Sequence, residues 1–414
     1  MRPQNFPEKL VWYSLVGTYG LYLLGANYIA MSIVIWVLTF YLCKKLWQQN
    51  YNTPNNEKII IPPTTWVWII SMLFMEVGLI AAHIDFDLGI GKIITSSINW
   101  ARTWAYLALF PLIGCLNIRP QLIYRAICII CLQSLIFIPI CYIAYQLHLP
   151  NILYNSPLHL IGGNSSLMYN VALYGFEEET NQIRLQLFTP WAPALGLTGC
   201  IYFFLANQES DRKWRFIGNI GSIAMILSSF SRLSMLCLVI VPCFSWLIGN
   251  FIKPRVQILS GIICFVVGIF ATKLINFIQD FKEQFSKVRA SSSRIREILG
   301  RIALERWNEA PIWGHGFVDP KGPAIATFMP IGSHHTWFGI LFEKGLVGAI
   351  SLVFPFLWSL IDLIHKYHKI HTAKVSLSIV LVLFFFTFGE NIETLAYLYW
   401  PGLLIMGMAF KEKI

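Results

Sequence analysis

Charge is what this sequence has least of. Asp, Glu, Lys and Arg make up 13% of 414 residues, against 56% hydrophobic and 15% aromatic, and the mean hydropathy is +0.60. A soluble domain carries about 25% charged residues, so that class is excluded for most of the chain. Also missing are an internal repeat, a low-complexity segment and any polar stretch that reads as a separate domain. The start, MRPQNFPEKL, leads into an apolar run with no small-residue cleavage pattern, and reads as an uncleaved first span rather than a signal peptide. There are nine cysteines, but none lies in a long polar loop, which argues against a disulfide framework. Cys128 and Cys131 form a C-x-x-C spacing inside AICIICLQ, where lipid-type neighbours point to packing.

What the sequence does have is apolar runs, one after another, of the length an α-helix needs to cross a hydrocarbon core of about 30 Å. The net charge of +10 would raise nucleic acid as a partner in a soluble protein. Here the cations have another reading: Lys44, Lys45, Arg119, Arg125, Arg212, Lys213, Arg215, Lys366, Lys369, Lys411 and others flank helix ends at alternate connections, as cytoplasmic loops require. Fixing those connections inside predicts an all-α polytopic membrane protein of about twelve spans with both termini cytoplasmic. The spans fall at 10–25, 28–46, 66–83, 96–115, 122–145, 187–206, 216–230, 233–251, 256–275, 336–357, 375–391 and 396–410.

Two outer connections are long. One, 146–186, contains a Gly-Gly-Asn turn and the acidic run Glu177–Glu179. The other, 276–335, gathers Lys282, Lys287, Arg289, Arg294, Arg296, Arg301, Arg306 and Lys321 on the side that cations normally avoid. Guanidinium groups offer planar paired donors that suit a phosphate or diphosphate, so an anionic partner is expected; a solvated helix face balanced by Glu297, Glu305 and Glu309 is the bland alternative. Ile295, Ile298, Leu299, Ile302 and Leu304 recur at helical spacing, which predicts an amphipathic helix at the membrane surface, capped by Ser291–Ser293 and ended by Pro311, Gly314 and Gly316. In SSFSR, Ser228, Ser229, Ser231 and Arg232 interrupt an apolar stretch and belong in an outer turn or cavity. An arginine facing the bilayer centre costs about 2.5–3.5 kcal/mol, so Arg232 snorkels or lines a polar cavity; Arg184 and Arg102 pose the same question less sharply. The loop closes on His334 and His335, and a neutral imidazole is a common general base near pH 7. Adjacent histidines also raise metal binding, but no further ligand set accompanies them.

The stretch SHHTWFGILFEKGLVG resembles the signature of the O-antigen ligase and polymerase family, a histidine usually followed by asparagine, then a helix with E-x-G-x-x-G. Counting back from Glu343, Gly345 and Gly348 places His334 on the family's histidine and His335 on the usual asparagine. SSSRIREILGRIALERWNEAPIWGHGF resembles the family's arginine, amphipathic helix and P-x-x-G-x-G, with Arg296 on the arginine position and Arg294 second. SSFSRLSML matches a Ser-Arg at an outer helix junction through Arg232, and RLQLFTPWAPALG matches an R-x-x-G-x-F-x-x-P segment through Arg184 and Pro190, with Gln186 in place of the glycine. The matches run from about 184 to 348.

That resemblance implies a GT-C-like fold, with loop 276–335 catalytic, and an inverting glycosyltransferase on the outer face of the bacterial inner membrane. The donor would be a polyprenyl-diphosphate-linked glycan and the acceptor a glycan or glycolipid, with no metal or nucleotide cofactor and with other polysaccharide-assembly proteins as partners. His334 would deprotonate the acceptor hydroxyl, Arg232 and Arg296 would hold the diphosphate, and Arg294, Arg301 and Arg184 would assist. A transporter or flippase of lipid-linked glycan is the rival reading; it predicts charges through several helix interiors and repeat symmetry, whereas Glu76 alone sits mid-span.

Overall fold

The computed structural model describes residues 1–50, 52–54, 58–163, 165–177, 182–277, 279, 290–318, 322, 324 and 329–414, with the backbone alone for 290–293. Asn164, Glu178, Glu179, Lys282, Lys287, Arg289 and Lys321 lie outside the described residues, as do the side chains of Ser291–Ser293.

The chain is mostly helical. The N-terminal part runs α1 (Phe6–Val16), α2 (Thr18–Leu23), α3 (Asn27–Gln48), α4 (Pro63–Asp85), α5 (Ile90–Ala101), α6 (Tyr106–Ile113) and α7 (Pro120–Gln146). A connection follows with β1 (Ile152–Asn155), α8 (His159–Gly162), β2 (Asn170–Ala172), β3 (Gly175–Glu177) and β4 (Gln182–Arg184). The remainder is α9 (Ala192–Ala206), α10 (Arg212–Ser229), α11 (Arg232–Asn250), α12 (Pro254–Ile269), α13 (Ala271–Phe277), α14 (Ala290–Trp307), α15 (Thr336–Lys366), α16 (His371–Phe386) and α17 (Ile392–Lys411). Proline opens α4, α7 and α12, where its missing N–H leaves no intrahelical bond unmade.

Among the described residues, α3, α4, α7, α11 and α15 are long and apolar enough to cross a membrane. Six such spans result if α12 and α13, bent by 77°, act as one. The protein is therefore a polytopic membrane protein. The segments expected as spans are largely helical, but several differ from a simple crossing. The run 10–25 breaks at Gly17 into α1 and α2, 96–115 breaks at 102–105 into α5 and α6, and α9 and α16 are 15 and 16 residues long. A strictly all-α chain is also corrected: β1 pairs with β2 and β3 with β4, both antiparallel. Strands of three and four residues are too short to show alternation in sequence, and β2 is held from outside, its Ala172 N–H donating to the Tyr22 hydroxyl at 2.8 Å.

The core centres on α16 and α17, which are apolar nearly all round and buried accordingly. Small residues let helices approach closely, as membrane packing requires. A Cβ on Gly407 would lie 2.0 Å from the Pro111 carbonyl oxygen, and one on Gly218 would lie 2.7 Å from Cys128 Sγ. Cys131 faces Gly221 in the same way, so the C-x-x-C spacing serves packing of α7 on α10, and all nine cysteines are free.

Candidate active site

Helix α15 is broken. Gly345 adopts φ +59, ψ −157 inside it, which strips the preceding turn of its intrahelical partners. The P-x-x-G-x-G segment supplies replacements. The N–H groups of His315 and Gly316 donate to the carbonyls of Phe342 and Glu343 at 2.9 and 2.8 Å, and the N–H groups of Leu346 and Val347 donate to Pro311 and Ile312 at 2.9 and 3.1 Å. The approach is too close for side chains: a Cβ on Gly314 would lie 2.4 Å from Lys344 N, and one on Gly345 would lie 2.4 Å from the Ile312 carbonyl oxygen. Non-helical backbone inside a membrane protein is tolerated where protein satisfies it, as happens here.

Helix α14 packs along α15. Leu299 and Ala303 are fully buried, and Gly300 lies against the Phe338 ring. Ile295, Ile298 and Ile302 follow the expected face, whereas Leu304 is exposed. Ser291–Ser293 lie within the helix rather than ahead of it.

The two histidines diverge. His335 is the N-cap of α15: its Nδ1 accepts the Phe338 N–H at 3.3 Å and its ring stacks on Phe338 at 3.9 Å. His334, in the left-handed region at φ +63, lines a cavity of about 580 Å³. Left-handed backbone at a non-glycine residue costs about 1–3 kcal/mol and tends to persist at functional positions. Burial, with the nearby Arg296 guanidinium, holds the His334 imidazole down at about 4, so it is neutral at pH 7.

The turn between α16 and α17 is fastened beside them. Thr336 N–H donates to the Thr387 carbonyl at 2.9 Å, Thr336 Oγ1 to the Glu390 carbonyl at 2.6 Å, and Trp337 Nε1 to Thr387 Oγ1 at 2.8 Å. Glu390 is buried on the cavity wall, accepting from Trp191 Nε1 at 3.0 Å and facing Arg296 Nη2 at 3.9 Å. Burial pushes its carboxyl up to about 7, against the opposing pull of Arg296, Trp191 and Arg184.

Of the expected arginines, Arg296 reaches this centre. Arg184 is held near it, its Nε donating to the Ser229 carbonyl at 3.0 Å and its Nη1 pairing with Glu177 at 2.6 Å. Arg232 is half-buried at the first position of α11, after Phe230 in the left-handed region and the N-cap Ser231. That junction touches the Glu390 turn, since Gly389 faces Leu233. Ser229, Ser231 and Ser234 pack against Gly196, within the protein rather than in an outer cavity. Arg294 and Arg301 are exposed on α14, and Arg301 lies 3.9 Å from Glu305. Arg102 lines the cavity, its Nη1 donating to the Gly162 carbonyl.

Residues 217–353 match the family model Wzy_C, O-antigen ligase. The matched residues form an O-antigen ligase-like domain covering less than half of the chain, and the likeness supports a role in surface polysaccharide assembly, with a lipid-linked glycan as the implied substrate. The O-antigen ligase domain takes in Arg232, α14, the glycine interlock and His334, while Arg102, Arg184, Trp191 and Glu390 are brought to it from outside the match. No curated protein matches the chain. Glu390, Glu393 and Lys344 escaped the sequence reading. Glu390 and Glu393 sit at a short connection between apolar runs, and the only signal was two acids in an otherwise apolar segment. Lys344 looks like a helix residue until the break at Gly345 turns it, 4% exposed, to the cavity wall beside Glu343 at 3.4 Å. Glu76 on α4 has Ser97, Lys344 and His83 for neighbours.

Proposed function

We propose that the protein is an inverting, metal-independent glycosyltransferase that uses a polyprenyl-diphosphate-linked glycan on the outer face of the bacterial inner membrane. The observation that carries this reading is His334: a neutral imidazole on the wall of a polar cavity, with Arg296 beside it, inside the O-antigen ligase domain. His334 takes the proton of an acceptor hydroxyl. The freed oxygen attacks the anomeric carbon from the face opposite the diphosphate, the carbon–oxygen bond to phosphate breaks, and its electron pair departs on the diphosphate. The proton remains on the imidazolium until it passes to solvent. Arg296, Arg184 and Arg232 hold the leaving group, where fixed guanidinium donors favour the developing charge. Arg294 and Arg301, exposed on the same helix, extend the positive field through which an anionic headgroup approaches.

The same reading includes a GT-C-like arrangement of about twelve spans, with the shorter helices α9 and α16 and the broken ones counted as crossings. It also includes work alongside other polysaccharide-assembly proteins. Extension of a chain is favoured over transfer to a lipid A-core, since nothing on the cavity wall is specific for such a core. The test is complementation of a deletion strain with His334→Ala. Surface glycan transfer is expected to be abolished while membrane abundance is unchanged, and a fully active variant overturns the reading. In the deletion strain, single repeat units on the lipid acceptor mark a polymerase, and long lipid-diphosphate-linked chains mark a ligase.

A further inference from the structure

We infer that the cavity beyond His334 is the acceptor subsite and that it selects a hydroxyl-rich, uncharged sugar over a uronate; this rests on the transferase reading above. The wall carries three indoles, Trp100, Trp104 and Trp191, and flat aromatic faces in a concave site suit the apolar faces of a pyranose ring. Above about pH 7, where the buried Glu390 and Glu393 are ionised, the acids Glu343, Glu390 and Glu393 outnumber Arg102 and Lys344 on the wall, and both cations are engaged, Lys344 with Glu343 and Arg102 with the Gly162 carbonyl. Arg296 and Arg184 act on Glu390, Arg296 from 3.9 Å, but are not among the residues of the wall. A carboxylate accepts hydrogen bonds and donates none, so this lining calls for donors, which sugar hydroxyls supply. A carboxylate on the sugar would instead meet like charge.

Independent of the charge count, three buried polar atoms on this wall have no hydrogen-bond partner among the described residues: Glu393 Oε2, Trp100 Nε1 and Ser333 Oγ. Glu393 is 9% exposed; its other oxygen accepts from Thr394 Oγ1 at 3.4 Å, and the Asn391 side chain and its own backbone N–H also bear on the carboxyl. An unmatched buried acceptor and an unmatched indole donor on the wall of one cavity are complements to sugar hydroxyls, which give one bond and take another.

The purified full chain is tested with three probes, the methyl glycosides of glucose, N-acetylglucosamine and glucuronic acid, by saturation-transfer NMR. Transfer onto each is also measured, with donor extracted from membranes of the deletion strain. Either neutral glycoside is expected to bind and to accept glycan, with the glucuronide at least about tenfold weaker. Glu393→Gln, which preserves shape, is expected to raise the acceptor KM about tenfold, the size of a lost charged hydrogen bond, and to move the donor KM less than about twofold. Trp100→Phe keeps the ring, removes the N–H and shifts the acceptor KM the same way. Equal binding of the glucuronide, or an unchanged acceptor KM in both variants, overturns the subsite. His334→Ala separates the two readings. It is expected to bind the neutral glycosides normally while transferring nothing, whereas transfer by that variant overturns the base and leaves the binding result standing.

Discussion

His334 and His335 are adjacent in sequence, yet one backbone step sends their rings to different tasks. The left-handed φ at His334 turns it to the cavity, while His335 returns to extended backbone and spends its Nδ1 on the end of α15. Replacing His335 by alanine removes an N-cap, a loss of about 0.5–2 kcal/mol, and is expected to lower the melting temperature while glycan transfer survives. Full loss of transfer in His335→Ala with unchanged folding would reverse the assignment of the two rings. The pH profile offers a second measurement. Burial and Arg296 both disfavour the charged imidazolium, so in the free enzyme the base is lost only as pH falls through about 4, and the rate is flat above that on this limb. A diphosphate beside Arg296 offsets that cation and raises the imidazole's affinity for a proton. The acid limb of kcat, which reports the donor complex, is therefore expected at a higher pH than the acid limb of kcat/KM. Coincident limbs would mean that the leaving group does not sit where Arg296 can feel it.

At the scale of elements, the informative object is the interlock between the P-x-x-G-x-G turn and the break in α15. Each glycine is there because the other segment's backbone occupies the space a side chain would need. Gly345→Ala combines a left-handed φ with a Cβ 2.4 Å from the Ile312 carbonyl, and is expected to destabilise the protein by about 1–3 kcal/mol or more and to suppress transfer. Gly261→Ala on α12, where a Cβ meets nothing within 4 Å, is the matched control and is expected to leave transfer and thermal midpoint unchanged. Equal behaviour of the two variants would show the interlock to be dispensable. The helices themselves were legible, because run length and flanking cations report directly on a lipid environment. So was the apolar face of α14, because periodicity is a local property. The break was not, since its cause at Pro311–Gly316 lies some thirty residues from its effect at Gly345, and a glycine in an apolar run reads as ordinary packing. Glu390 was missed for the same reason: its partners come from two distant segments, Arg184 with Trp191 from one and Arg296 from the other. Strand β2 is held by a contact with Tyr22, which no local pattern encodes.

Across the whole molecule, charge is handled differently at the two ends of the bundle. Helices α15 and α17 start at the cavity, at Thr336 and Ile392, and finish at Lys366 and Lys411. At 20 residues and about 1.5 Å per residue, α17 alone covers about 30 Å, the thickness of a hydrocarbon core. At the far end the cations are tied to fixed partners: Arg119 to Glu8 at 2.7 Å, Arg125 to Glu209 at 2.9 Å, Lys366 to Asp362 at 3.1 Å and to the Phe410 carbonyl at 2.7 Å, and Lys411 to the Cys115 carbonyl at 2.9 Å. These bonds satisfy helix ends, while Arg212, Lys213 and Arg215 line a separate cavity of about 510 Å³ on α10 at this end. At the near end, Arg102 lines the cavity instead, and Arg184 and Arg296 act on its buried Glu390. In the orientation proposed above, which follows the positive-inside rule, the tied end faces the cytoplasm and the cavity the outer face. Alkaline phosphatase, active only after export, is expected to be inactive when fused after Ile414 and active when inserted between residues 318 and 329, with a fluorescent protein giving the opposite pattern. The reverse result would place His334 in the cytoplasm. The donor's headgroup would then have to be met before export, and the outer-face transfer proposed for this cavity would fail even if every residue in it proved essential.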